Sequence, residues 1–131
     1  MTEEERHFPV EGDTAARVEA LVELAHQLMG IGDPSSLQRV LNKERPADVI
    51  DVIRRLEDNL REQVFHLLEE HLAAEVLAEN DTSTALSIVE DLDDREISHL
   101  VEEMEPDDAA DVLGELKGDQ AVAVLDLMEE E

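Results

Sequence analysis

Carboxylates dominate the side chains of this sequence that could do chemistry, and the densest set is Met104-Glu105-Pro106-Asp107-Asp108-Ala109-Ala110-Asp111. Asp107 and Asp111 stand four apart. On a helix that spacing puts both on one face, close enough to share a hard divalent cation directly or through its water shell. The same acids also serve a helix start, where negative charge meets the positive end of the helix at about 0.3–1 kcal/mol each. Glu75 belongs to the same periodic column as Asp111, together with Asp51, Gln63, Ser87 and His99, so stacked helices could bring Glu75 to the same surface. Mg²⁺ suits such a face, since it keeps several waters and needs only one or two protein carboxylates. Zinc suits it poorly: there is no Cys and no His-Glu-x-x-His, and His66 and His71 lie five apart. The acid spacing of Glu79-Asn80-Asp81-Thr82-Ser83 lacks the central Gly of a calcium loop. No Gly-rich phosphate loop, Gly-x-Ser-x-Gly elbow or Ser/His/Asp signature occurs, so catalysis is not expected.

Charge sharpens the choice of partner. The 131 residues hold 10 Lys+Arg and 36 Asp+Glu, a formal net charge of -26. Nucleic acid and anionic lipid would be repelled, and cations attracted. Residues 1–71 carry 8 basic and 16 acidic side chains, and residues 72–131 carry 2 and 20, so a cation site belongs in the C-terminal half. Adaptation to high salt would produce a similar surface. Disorder is disfavoured because 42% of residues are apolar and regularly spaced. No run of about 18 apolar residues exists, so no direct membrane insertion of this chain is expected.

The elements that must carry these residues follow from a period of twelve. Every twelfth position from Val40 is apolar: Val40, Val52, Val64, Val76, Ile88, Leu100, Val112 and Val124. So is the next column, from Leu41 through Ile53, Phe65, Leu77, Val89 and Val101 to Leu113 and Leu125. Positions three before and four after the first column complete one helical stripe, interrupted only by Arg61 and Asn80. Polar triplets near Asp58, Thr82 and Pro106 supply turns, and Pro34, Pro46 and Pro106 recur in register as first-turn residues. A helix of about nine residues is too short to stand alone, so stacking must hold it. The expected fold is all-α, a superhelical α-solenoid of short antiparallel helices whose hairpins pack on one another. Residues 1–13 read as a flexible tail and 14–131 as one helical-repeat domain. Asp13 or Thr14 starts a longer first helix through Met29, with Ala15, Val18, Leu21, Val22, Ala25, Leu28 and Met29 inward, and Gly30-Ile31-Gly32-Asp33 ends it. The uncapped last helix, to about Glu129, suggests that more protein follows.

The stretch Met-x-Pro-Asp-Asp-Ala-Ala-Asp at Met104–Asp111, after short acidic helices of the Leu72-Ala73-Ala74-Glu75-Val76-Leu77 type, resembles the N-terminal cytosolic domain of MgtE-type magnesium transporters over about residues 34–131. Flagellar motor switch arrays are the nearest confusable family. The resemblance implies a regulatory domain followed by paired CBS domains and a transmembrane domain, in a homodimeric protein of the inner membrane with this domain on the cytoplasmic side. It further implies gating by Mg²⁺, with ions bridging the acidic faces of this domain and the CBS pair when Mg²⁺ is plentiful. Asp107 and Asp111 match the family's acidic positions facing the CBS domains, and Glu75 matches less closely from an earlier helix; Asp108 reads as a helix-start residue, echoed by Asp48 after Pro46. Without the CBS carboxylates, Mg²⁺ binding by this domain alone would be weak. The alternative is a metal-independent interaction solenoid of armadillo or flagellar-switch type.

Overall fold

A computed structural model of the chain describes residues 14–129, and the tail expected at 1–13 lies outside the described residues. Nine helices make up the described residues: α1 Thr14–Gly30, α2 Pro34–Leu41, α3 Pro46–Arg55, α4 Asp58–Phe65, α5 Glu70–Glu79, α6 Thr82–Val89, α7 Asp94–Glu102, α8 Pro106–Glu115 and α9 Gly118–Glu129. From α2 onward every helix begins twelve residues after the last. The turns expected near Asp58, Thr82 and Pro106 are therefore helix starts. Pro34, Pro46 and Pro106 occupy the first turns of α2, α3 and α8, where a missing N–H leaves nothing unsatisfied.

Local chemistry explains the punctuation. The end of α1 is a Schellman-type stop: Asp33 N–H donates to the Leu28 carbonyl at 2.8 Å and Gly32 N–H to Met29 at 3.2 Å. Gly32 sits at φ 77°, a left-handed conformation that a Cβ would strain. Asp33 then caps α2, its carboxylate accepting from the Ser36 N–H at 3.2 Å and the Ser36 hydroxyl at 2.7 Å. Asp81 accepts from Thr84 N–H at 2.8 Å to cap α6. Asp93 and Glu96 form a reciprocal capping box at α7, at 2.8 and 3.1 Å.

The helices stack by alternation. In one row α1 packs on α3, α3 on α5, α5 on α7 and α7 on α9, and in the other α4 packs on α6 and α6 on α8. Successive helix pairs thus cover one another, an arrangement compatible with a solenoid. The twelve-residue stripe is the core: Val52, Val64, Val76 and Val124 are fully buried, as are Leu37, Val49, Ile53 and Ile97. In α1 the buried residues are Val18, Leu21 and Ala25. Val22, Leu28 and Met29 are partly buried and Ala15 is exposed, because the stripe of this longer helix faces only α2 and α3.

The two polar residues that interrupt the stripe are clamps between helices. Arg61 on α4 donates to the carbonyls of Ile53 at 2.9 Å and Arg54 at 3.0 Å at the end of α3, and to Ser87 on α6 at 3.1 Å. Asn80 donates to the Ile50 carbonyl and accepts from Arg54 Nε at 3.1 Å. Both sit where α3 and α5 give way to extended two-residue links, Leu56-Glu57 and Asn80-Asp81, which leave helix-end carbonyls in need of donors. On the opposite edge Asn42 joins two four-residue turns, donating to Leu67 O at 3.0 Å and accepting from Glu69 N–H at 2.8 Å.

That alternation of ten-residue helix with extended link and eight-residue helix with compact turn repeats every 24 residues through α6, then slips. Helix α7 ends at Glu103 in a compact αR conformation instead of an extended one. As a result α8 packs against α5 as well as α6 and α7.

Candidate acidic site at the α5 and α8 contact

The slip at α7 creates the site. Where α8 starts against α5, a groove of about 320 Å³ is lined by Glu75 and Glu79 of α5, Glu103 and Glu105 of the link, Asp108 of α8, and His71. Five carboxylates and one imidazole line it, and His71 Nδ1 stands 3.6 Å from Glu103. Pro106 fixes the first turn of α8 and Glu105, in extended conformation, delivers it, so Asp107 and Asp108 stand at the helix's positive end.

The three candidate ligands separate here. Glu75 is exposed on α5 and faces the groove, while Asp107 and Asp111 are exposed on α8 and do not line it. The half-buried Asp108 takes the place beside Glu75. It remains a first-turn residue, as its spacing implies, and also contributes a wall of the groove. Spacing by twelve could not reveal this, because the α5 to α8 contact depends on one link, 103–105, closing more tightly than its counterparts 56–57 and 80–81. Asp48, its echo in α3, is instead wholly buried: Arg45 Nε holds one carboxylate oxygen at 3.3 Å, and the other has no hydrogen-bond partner.

The donor set is hard oxygen on an open surface, which fits a partly hydrated Mg²⁺ and no thiophilic metal. Among the described residues no three Asp, Glu or His side chains converge as a metal cage. The groove and the Asp107–Asp111 face therefore offer carboxylates to an ion that other oxygens must complete.

A second acidic cluster lies around His66, whose Nε2 is 3.4 Å from Glu96 and Nδ1 4.0 Å from Asp91. Partial desolvation, followed by the charge of Asp91, raises the Glu62 pKa. Hydrogen bonds from Ser36 lower that of Asp33, and those from Thr84 lower that of Asp81. No helix among the described residues is long and apolar enough to cross a membrane.

Comparison with known proteins places this geometry. No curated protein matches the chain. The family model of the MgtE intracellular N domain matches residues 44–131, which span α3 to α9 and the whole of the acidic groove. Two thirds of the sequence are covered, including the Pro-Asp-Asp-Ala-Ala-Asp start of α8, and the chain belongs to the MgtE intracellular N domain family.

Proposed function

We propose that this domain senses Mg²⁺ for a magnesium transporter, and that its acidic face meets CBS domains of the same protein across Mg²⁺ ions when the ion is abundant. Family membership makes the chain a magnesium transporter's N-terminal domain, a regulatory and not a catalytic family. The observation that carries the finer reading is the groove between α5 and α8, with the exposed carboxylates Asp107 and Asp111 beside it and Glu75 within it.

The physics is a balance of repulsion. Two unit charges of one sign about 4 Å apart repel by about 1 kcal/mol even in water, and more where water is displaced. A face with five carboxylates around one groove therefore resists a second acidic face. Ions held by Asp107, Asp111 and Glu75 on this side, and by the partner's oxygens on the other, would turn repulsion into adhesion. By linkage, ions that bind only the closed contact stabilise it. Low Mg²⁺ releases the domain. In this reading the domain sits on the cytoplasmic side of the inner membrane, within a homodimeric transporter. The family match favours it over a metal-independent interaction scaffold.

The test is ion flux through the intact transporter carrying Asp107→Ala and Asp111→Ala, in vesicles loaded with a Mg²⁺-sensitive dye. Closure should need a higher internal Mg²⁺ concentration than in the wild type. An unchanged Mg²⁺ dependence would remove both residues from the site. Calorimetric titration of the isolated domain should give weak binding, stronger for the variant with all three acids intact than for Glu75→Ala.

A further inference from the structure

The end of the helical array exposes an apolar face that the same array buries everywhere else. In the row α3, α5, α7, α9 the residues at one repeat position are Ile50, Ala74, Ser98 and Val122, and their exposures run 9%, 2%, 0% and then 57%. Three residues further along stand Ile53, Leu77, Val101 and Leu125, at 0%, 1%, 1% and then 42%. Helices α3, α5 and α7 each have a following helix of the row packed on them, and among the described residues α9 has none. The companion row agrees: Phe65 and Val89 are buried, whereas their counterpart Leu113 on α8 is only partly covered.

From this register we infer that the Val122–Leu125 face of α9 docks one amphipathic helix of another protein segment, placed where a next member of the row would lie. Its apolar stripe must follow the spacing that the stacked helices use, with residues three and four apart. Its flanks must be basic. Helix α9 contains no Lys or Arg, and Asp119 and Asp126 are exposed beside the apolar pair. A second copy of this chain is a poor occupant for the same reason, since two α9 faces would set these acids against each other on molecules of net charge -26. This surface is separate from the acidic groove, and the inference stands without the Mg²⁺ reading.

The test uses the full 131-residue chain and a fluorescent helical peptide of about sixteen residues with a leucine stripe and lysine flanks. A peptide of equal composition with the leucines scattered controls for charge. The striped peptide should bind about tenfold more tightly at physiological ionic strength, and Val122→Ser with Leu125→Ser should abolish the difference. Both residues are exposed, so the double variant should keep the wild-type thermal midpoint. Asp119→Lys with Asp126→Lys, which leaves the apolar pair intact, should transfer the preference to a striped peptide with glutamate flanks. Equal affinity for the two lysine peptides, or an affinity unaffected by the serine substitutions, would overturn the inference. So would self-association of the wild type that the serine variant loses, because the face would then belong to a second copy.

Discussion

Replacing Arg61 by Leu separates the repeat pattern from the structure. The pattern alone favours the change, because every other described residue at that position from Leu37 to Ala121 is apolar. The structure opposes it. The Arg61 side chain is only 11% exposed and donates to two carbonyls at the end of α3 and to Ser87 on α6. Hydrogen bonds from a charged donor are worth about 1.5–3 kcal/mol each when sheltered. Two discounts apply: Leu56 N–H still reaches the Ile53 carbonyl at 3.3 Å, and water reaches the exposed neighbourhood of Arg54. The ion pair with Asp58 adds little, since Asp58 is 82% exposed. Burying a leucine there returns about 1 kcal/mol. The net loss is about 2 kcal/mol, or roughly 7 °C in thermal midpoint for a chain of this length. Thermal unfolding followed by circular dichroism measures it, with the exposed Arg55→Leu as the control for losing one positive charge. A midpoint within about 2 °C of wild type, or above it, would refute the assignment of Arg61 as a clamp.

Glycine substitutions divide in sign. Gly114→Ala in α8 has open space around the new Cβ and should stabilise by about 0.5–1 kcal/mol, while Gly32→Ala must hold φ 77° and should cost about 1–2 kcal/mol, both read from urea unfolding. The lowered pKa of Asp81 means its cap contributes above the ordinary aspartate value of about 3.9 and is lost as pH falls through the folded value. Asp81→Ala should therefore destabilise at pH about 7, and the gap to wild type should close in strong acid. Glu62 has the opposite sign, because its raised pKa makes the ionised form costly in the fold: Glu62→Gln should stabilise at neutral pH, with an advantage that fades as pH drops through the folded value. Asp107→Ala with Asp111→Ala should shift the thermal midpoint of the domain by no more than about 3 °C, since both side chains are exposed and first-turn charge is worth under about 1 kcal/mol.

Much of the fold was written in periodicity. Apolar residues every twelfth position, with Pro and Asp at recurring starts, leave room only for a short helix and a turn, and such helices must bury their stripes on neighbours. Local rules suffice for that, because helix length, capping and stripe depend on residues within a few positions of each other. The resemblance carried by Met104–Asp111 led to the same family as the match over residues 44–131. Tertiary structure decided the rest. It turned Arg61 and Asn80, which interrupt the stripe, into donors for helix-end carbonyls two helices away in the stack. It also brought Asp108, and not its neighbours Asp107 and Asp111, into one groove with Glu75. The reason is the link at 103–105: whether a short connection closes in αR or extended form is settled by packing between helices distant in sequence, and that choice sets which carboxylates meet.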